Sequence, residues 1–313
     1  MVFNTIGCAG FVTIVLLASV WIPFIGLFFS LLTPLPFLFY TSKLGLSQGL
    51  KIGLITVLIV GLAARLAGHP QLILLCVEFG IAGLIISEIF KREFTFGLTI
   101  FWGTVFMLFV GILFLFFIGL SKGTGPFDLL LGYMQTNLDT SIELYETNKP
   151  DEAALIQLKE YTAFLKDLIS RIYPALLIIG TGFIIWLNVV ISKPLFLKKG
   201  IKYPDLGQTD RWYAPEYMVW GVIAAGFSLL LPVTGIKFVA LNVLIVLSVI
   251  YTFHGLSIVM FFFNRYKIPT WTRFGIYVLI IIQQMFLIIL AFLGLFDQWV
   301  DFRKIHRKSD ELS

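Results

Sequence analysis

Residues 251–304 decide the fold, and they read YTFHGLSIVM FFFNRYKIPT WTRFGIYVLI IIQQMFLIIL AFLGLFDQWV DFRK. Two long apolar runs stand on either side of a short basic turn between Arg265 and Arg273. A helix needs about 20 apolar residues to cross a bilayer. The first run begins upstream of the quoted stretch, at Phe238, and the second covers residues 274–296, so both are long enough. Since lipid offers no water to satisfy an open backbone, both runs are predicted to be transmembrane helices.

Each of these two runs carries polar side chains that are costly in lipid. His254 lies about sixteen residues into the first run, and Tyr251 and Ser257 share its helix face because they are three residues away. Gln283 and Gln284 lie in the second run, and on a helix they point about 100° apart, so at most one faces a common cavity. Two roles are open for His254: it forms a hydrogen bond between helices, or it belongs to a substrate site. Gln283 and Gln284 favour a role in helix association.

The segment that leaves the second run is dense in acidic, aromatic and basic residues, among them Asp297, Trp299, Asp301 and Arg303. If it follows a full-length span, it lies at the level of the lipid headgroups, where Trp and long basic side chains are favoured. On a continuing helix Asp297 and Asp301 share a face, and Arg303 lies about 240° from Asp297. We therefore expect an acidic side chain to contact a basic group of another segment or of a partner, with a solvated membrane anchor as the alternative.

The rest of the chain repeats this apolar pattern. It is 58% hydrophobic and 13% charged, whereas a soluble domain carries about 25% charged residues. The 313 residues therefore indicate an all-α, polytopic membrane protein that forms a single membrane domain over residues 1–313. About eight spans are predicted, at 7–32, 52–66, 70–90, 96–120, 172–192, 217–231, 238–263 and 274–296. Cys8 and Cys76 fall inside apolar segments without metal-ligand spacing, which indicates structural thiols.

Residues 123–170 interrupt the apolar pattern with a polar insert. Apolar residues recur there at helical spacing on both sides of Asn148-Lys149-Pro150, so two amphipathic helices are expected along or over one membrane face. About 50 residues are too few for an independent core. We therefore expect the insert to cap the membrane domain.

The basic residues of the short loops suggest an orientation, because cytoplasmic loops are enriched in Lys and Arg. If the loop 193–212 is cytoplasmic, most loop lysines and arginines fall on that side, and Arg65 and Lys237 fall opposite. The basic tail from Arg303 to Lys308 would then lie outside, which conflicts with the rule. The net charge of +5 suits an anionic membrane surface, so the bilayer is the expected partner and no nucleic acid is needed.

Glu78 is the remaining candidate, about 12 Å along its predicted span. A carboxylate there needs a partner or a proton. Two roles are open for Glu78: it is part of a substrate or proton site, or it is a neutral carboxyl that is hydrogen-bonded to another helix. The chain has no phosphate-binding GxxxxGK[ST] loop, no HExxH and no GxSxG. We expect no enzymatic activity, no cofactor and no metal, and a substrate site formed by Glu78, Tyr251, His254, Gln283 and Gln284.

Several short motifs together resemble the YybS-like family of bacterial integral membrane proteins. They are Thr33-Pro34-Leu35-Pro36 with Gly45, the run Arg171 to Leu177, Leu187-Asn188, Leu241-Asn242, the run His254 to Val259, and the exit from Gly294 to Lys304. The family usually has Gln-Gly where this chain has His254-Gly255. The resemblance covers nearly the whole chain, and it implies a multi-pass protein of the bacterial inner membrane.

That family is distantly similar to the substrate-binding S-components of energy-coupling-factor transporters. The resemblance implies a binder of a small, vitamin-like solute that works with a separate energising subunit. The chain departs from S-components in its insert and its number of spans, and it carries no vitamin-specific motif. Small-solute binding or transport at a midplane cavity is therefore the leading expectation. The alternative is a scaffold or assembly protein that binds partners through its basic loops and the insert.

Overall fold

The described part of the structure is predominantly helical. A computed structural model describes residues 2–22, 25–147 and 152–304, and no strand occurs among them. The predicted all-α fold class is therefore confirmed. The helices are α1 (Val2–Trp21), α2 (Ile25–Ser30), α3 (Pro34–Leu44), α4 (Leu46–Leu66), α5 (Leu72–Phe90), α6 (Phe96–Lys122), α7 (Pro126–Thr147), α8 (Glu152–Lys198), α9 (Met218–Ser228), α10 (Thr234–Arg265), α11 (Thr270–Ile282) and α12 (Gln284–Val300).

Fewer helices than predicted are long enough to cross a bilayer. Six described helices pass by length and composition, namely α1, α4, α5, α6, α8 and α10, and a seventh span results if α11 and α12 count as one. The segment predicted at 217–231 contains α9, which has only 11 residues, too few to span a bilayer alone. The segment predicted at 274–296 is bent by 103° between α11 and α12.

By its internal contacts the chain divides into two compact units, whereas the sequence indicated a single domain. Unit 1 comprises residues 1–133 and 180–206, and unit 2 comprises residues 134–179 and 207–313. In unit 1, α3 lies close against α5, since a methyl group on Gly83 would be 2.5 Å from the Pro34 carbonyl oxygen. Pro34 begins α3 because a proline at the first helical position sacrifices no helical hydrogen bond.

The second helix predicted for the insert is not a separate element. It is the N-terminal part of α8, a helix of 47 residues. The expected position of this part along or over one membrane face stays a prediction. Within unit 2, ion pairs of Lys159 with Glu146 and of Lys166 with Asp139 join it to α7. The predicted break at residues 148–150 lies outside the described residues.

α8 contains Pro174, and a side chain of α10 compensates for it. Proline removes one backbone donor and distorts the preceding turn of a helix. Asn242 accepts a hydrogen bond from the Ala175 backbone N–H at 2.9 Å, and its Nδ2 donates to the Arg171 carbonyl at 2.8 Å. The carboxamide thus takes the place of the helical bond that would join residues 171 and 175.

Candidate functional site

The site is in unit 2, where α10 and α12 cross at two glycines. A methyl group on Gly255 would lie 2.1 Å from the Leu290 carbonyl oxygen, and one on Gly294 would lie 2.2 Å from that of Tyr251. Small residues at a crossing let two helix backbones approach closely in a membrane. The crossing brings the face of α10 that carries His254 against the C-terminal turns of α12.

Three ionisable side chains meet at this crossing, and we call His254, Asp297 and Arg303 the ion-pair cluster. Their exposed fractions are 0%, 1% and 2%. Arg303 Nη2 lies 3.0 Å from Asp297 Oδ2 and 2.9 Å from His254 Nε2, and His254 Nε2 lies 3.2 Å from Asp297 Oδ2. Charges this deeply buried are retained only when they are paired and hydrogen-bonded.

Arg303 reaches Asp297 because α12 stops before it. The helix ends at Val300, and Asp301 adopts a left-handed conformation with φ of 44°. The Phe302 backbone N–H then donates to Asp297 Oδ1 at 2.8 Å, which turns the chain back over the helix end. The prediction that Asp297 and Arg303 cannot pair assumed a continuing helix, and it is wrong for that reason.

Residues 209–213 lie over the ion-pair cluster, and we call them the covering segment. They form a short 3-10 turn, Thr209–Arg211, followed by two residues without regular structure. Arg303 Nη1 donates to the Asp210 and Trp212 carbonyls, both at 3.2 Å, and to Ser257 Oγ at 3.0 Å. Ser257 Oγ also donates to the Trp212 carbonyl at 3.0 Å. The covering segment thus supplies backbone acceptors to the buried guanidinium of Arg303.

Aromatic rings enclose the cluster. The Arg303 guanidinium lies 4.0 Å from the ring centre of Tyr213, a cation–π contact, and the rings of Tyr213 and His254 are 4.7 Å apart. Tyr251 stacks on His254, and its hydroxyl accepts from Gln298 Nε2 at 3.2 Å. Burial first, and then the Asp297 carboxylate, raise the pKa of Tyr213, so its hydroxyl remains a protonated donor.

The 2.9 Å contact with Arg303 is used to assign the tautomer of His254, whose Nε2 also lies 3.2 Å from Asp297 Oδ2. Arginine has donors only, so a bond from Arg303 Nη2 requires an unprotonated Nε2 and places the histidine's proton on Nδ1. The histidine is then neutral, and the cluster's charge of zero comes from Asp297 and Arg303. His254 Nδ1 and Arg303 Nε are both buried and find no partner among the described residues.

The other predicted residues lie elsewhere. Gln283 and Gln284 are exposed at the bend between α11 and α12, so they are not in the middle of a continuous helix. Glu78 belongs to unit 1, is half-buried, and makes no hydrogen bond or ion pair within the described part of the chain. Trp299 is 61% exposed beside Phe296, and its position at headgroup level stays a prediction.

The structure brings together four residues singled out from the sequence: Tyr251, His254, Asp297 and Arg303. A fifth, Asp301, accepts a hydrogen bond from the Tyr213 hydroxyl at 3.2 Å. The sequence had assigned Trp212 to the end of a cytoplasmic interface loop and had not used Tyr213. Trp212 and Tyr213 are adjacent aromatic residues in a stretch without helical periodicity, which was the available signal. No three His, Cys, Asp or Glu side chains group together among the residues described, so no metal site is assigned.

The fold and the cluster define a multi-pass α-helical membrane protein with a buried ion pair. Residues 10–298 match the family described as "Predicted membrane protein (DUF2232)", and the chain belongs to that family. It is similar to "Uncharacterized protein YybS" of Bacillus subtilis (strain 168), with 21% identity over 291 residues that cover 91% of each chain. No solved structure matches. The YybS-like membrane family expected from the sequence is confirmed, and kinship with S-components remains an inference from resemblance.

Proposed function

We propose that the protein binds a small solute in unit 2 and moves it across the bacterial inner membrane together with a proton. The observation that carries this proposal is the ion-pair cluster, a titratable histidine held between a buried carboxylate and a buried guanidinium. Ionisable side chains inside membrane proteins mark ion, proton or substrate pathways. A purely structural contact between helices would not require three such groups at one crossing.

Two features of the backbone also support transport. The covering segment is irregular and packs against α10, and α11 and α12 are joined by a bend of 103°. Broken transmembrane helices are common in transporters, where the backbone groups released at the break bind ligands. Here the bend at Gln283 lies away from the ion-pair cluster, and the carbonyls of the covering segment supply backbone groups to Arg303. In this proposal a proton gradient supplies the energy, so the energising subunit implied by the S-component resemblance is not required.

Reconstitution tests the proposal. The purified protein is placed in liposomes that enclose a pH-sensitive dye, and four solute pools are added outside: amino acids, sugars with nucleosides, water-soluble vitamins, and carboxylates with inorganic phosphate. We expect one pool to acidify the lumen, because the solute enters with a proton. The response should be lost in His254→Gln and kept in Arg171→Lys, whose side chain is exposed. A folded, reconstituted protein that responds to no pool would contradict the proposal.

A scaffold role is the second candidate, and one surface favours it. The N-terminal part of α8 exposes Ile156, Tyr161 and Phe164, at 55%, 60% and 60%. Exposed apolar groups on an amphipathic helix favour protein or membrane contacts. A photocrosslinker at Tyr161 that captures one defined protein, with a control at Leu58 that captures none, would support the scaffold if every solute pool is also inactive.

A further inference from the structure

The guanidinium of Arg303 is only partly used. Its side edge, formed by Nε and Nη2, is the two-donor edge that carboxylates and phosphates bind with two parallel hydrogen bonds. Nη2 is bonded to Asp297 Oδ2, whereas Nε has no acceptor among the described residues. Asp297 does not fill both positions because its Oδ1 is held by the Phe302 N–H. Of the two donors on the side edge of Arg303, Nε is therefore without an acceptor among the described residues.

A second buried donor lies in the same cluster. In the tautomer that accepts from Arg303, His254 Nδ1 carries the proton, and this nitrogen is also without an acceptor in the described part of the chain. Buried donors are rarely left unpaired, and each one calls for an explanation. Two unpaired donors on adjacent cationic or titratable side chains, both at least nine-tenths buried, indicate a ligand that is rich in acceptors.

We propose that Arg303 and His254 bind a small oxyanion, a carboxylate or a phosphate, and that Asp297 holds the position of that anion in the closed form. The inference rests on the proposed transport function and names the substrate class of the same site. Asp297 acts here as an internal competitor. Asp297 bonds only Nη2 of the Arg303 side edge. An oxyanion that replaces the Asp297 carboxylate accepts from both Nη2 and Nε.

Charge balance requires a proton in this exchange. The closed cluster is neutral, with one carboxylate, one guanidinium and a neutral histidine. A bound monoanion would leave a buried net charge of −1, which is unfavourable. One proton taken up from water by His254 Nε2 restores neutrality once Arg303 has turned to the ligand. The anion and the proton therefore bind together, and each raises the affinity for the other.

The groups that face His254 are consistent with this assignment. Asp297 of α12 and Arg303 contact its Nε2, Tyr213 of the covering segment contacts its ring, and Tyr251 stacks on it from α10. Asp210 turns its side chain to Asn264, and Asp301 accepts from Tyr213. Asp297 is thus the only carboxylate among the described residues that contacts the histidine. Entry of a ligand requires the covering segment to release Arg303.

Binding is measured on the full-length protein in a lipid-free detergent, in Tris and Bis-tris chloride buffers at constant ionic strength. Sodium acetate and sodium dimethyl phosphate are the probes, because both remain monoanions from pH 6 to pH 8. Sodium chloride is the baseline, and the midpoint of thermal unfolding against concentration gives the affinity. For the wild type we expect the affinity to rise as the pH falls from 8 to 6, by up to about tenfold per pH unit, the slope for one proton.

Asp297→Asn is the decisive variant, because it removes the competitor and leaves a net positive site. We expect oxyanion binding at pH 8 to tighten by about tenfold or more and its pH dependence to flatten. A gain in binding cannot arise from misfolding. Asp167→Asn, an exposed carboxylate ion-paired with Arg171, is the matched control and should behave like the wild type. A folded Asp297→Asn that binds acetate and dimethyl phosphate no better than the wild type would overturn the proposal.

A further arm separates free anions from lipid headgroups. If phosphatidylglycerol alone stabilises the protein, and Asp297→Asn strengthens the effect, then the oxyanion is a headgroup. If Asp297→Asn leaves that effect unchanged, the site is refuted. Failure of this inference is distinguishable from failure of transport. A neutral solute pool that acidifies liposomes would preserve transport without an oxyanion site, and oxyanion binding without any flux would preserve the site without transport.

Discussion

At the scale of single residues, the ion-pair cluster is costly to form and more costly to break. Replacing a buried ion pair by apolar groups is often tolerated, whereas removing one partner leaves an uncompensated buried charge. Arg303→Met should therefore destabilise the protein by about 3–5 kcal/mol, since Asp297 loses its cation. Thermal or urea unfolding in detergent measures the loss.

The double variant Arg303→Met with Asp297→Asn should recover part of that stability, because it removes both charges. Glu88→Ala is the control, since its ion pair with Lys91 is 40–53% exposed and such pairs contribute about 0–1 kcal/mol. A double variant no more stable than Arg303→Met would show that lost packing, and not charge, is the cause.

His254 should accept replacement by glutamine without loss of the fold. The Gln side-chain oxygen can accept from Arg303 as the neutral imidazole does. We expect His254→Gln to unfold within about 1 kcal/mol of the wild type, the scale of one hydrogen bond. His254→Leu offers no acceptor to Arg303 and should be clearly less stable. Equal stability of the two variants would remove His254 from the cluster's hydrogen bonding.

At the scale of elements, the crossing of α10 and α12 depends on Gly294. Its α-carbon faces the Tyr251 carbonyl so closely that a methyl group would lie 2.2 Å from the oxygen. Gly294→Ala should therefore separate the helices and destabilise the protein by about 1–3 kcal/mol. Gly275→Ala, in α11 with open space around it, should be neutral or stabilising. Similar unfolding midpoints for both variants would exclude the close crossing.

Asn242 and Pro174 form a pair whose coupling can be measured. In the wild type, Asn242→Leu leaves the Arg171 carbonyl and the Ala175 N–H without their partner, at a cost of about 1–3 kcal/mol. With Pro174→Ala, the helical bond between residues 171 and 175 can form, so Asn242→Leu should then cost little. The double-mutant cycle in thermal unfolding tests this dependence. Equal costs in both backgrounds would show that Asn242 acts independently of the proline.

The same elements explain what could be predicted from the sequence. Apolar length and composition fix the long helices, and the face shared by Tyr251, His254 and Ser257 follows from helical spacing. The turn that returns Arg303 to Asp297 could not be predicted, because it depends on a left-handed residue, Asp301, that is not glycine. The bend at Gln283 lies between apolar residues and has no proline or glycine to announce it.

At the scale of the whole molecule, the pattern of exposure fits a bilayer. Large apolar side chains are exposed on helix after helix, including Leu58 at 72%, Phe117 at 64% and Trp220 at 70%. Soluble monomers rarely expose contiguous apolar patches of more than a few hundred Å². The polar groups of the ion-pair cluster are buried instead. The molecule thus turns its apolar side chains outward and keeps its ionisable site inside, as an intramembrane functional site requires.

Tryptophan fluorescence in brominated lipids tests this arrangement, because bromine quenches only rings that it reaches. Seven tryptophans are present, and a variant that keeps one of them, with phenylalanine at the other six, reports a single position. Trp220 on α9 should be strongly quenched. Trp212 belongs to the covering segment, its ring centre lies 6.1 Å from that of His254, and its carbonyl accepts a hydrogen bond from Arg303. Trp212 should therefore be quenched weakly. Strong quenching of Trp212 would mean that lipid reaches the covering segment. The ion-pair cluster would then open toward the bilayer, and its oxyanion would be a lipid headgroup.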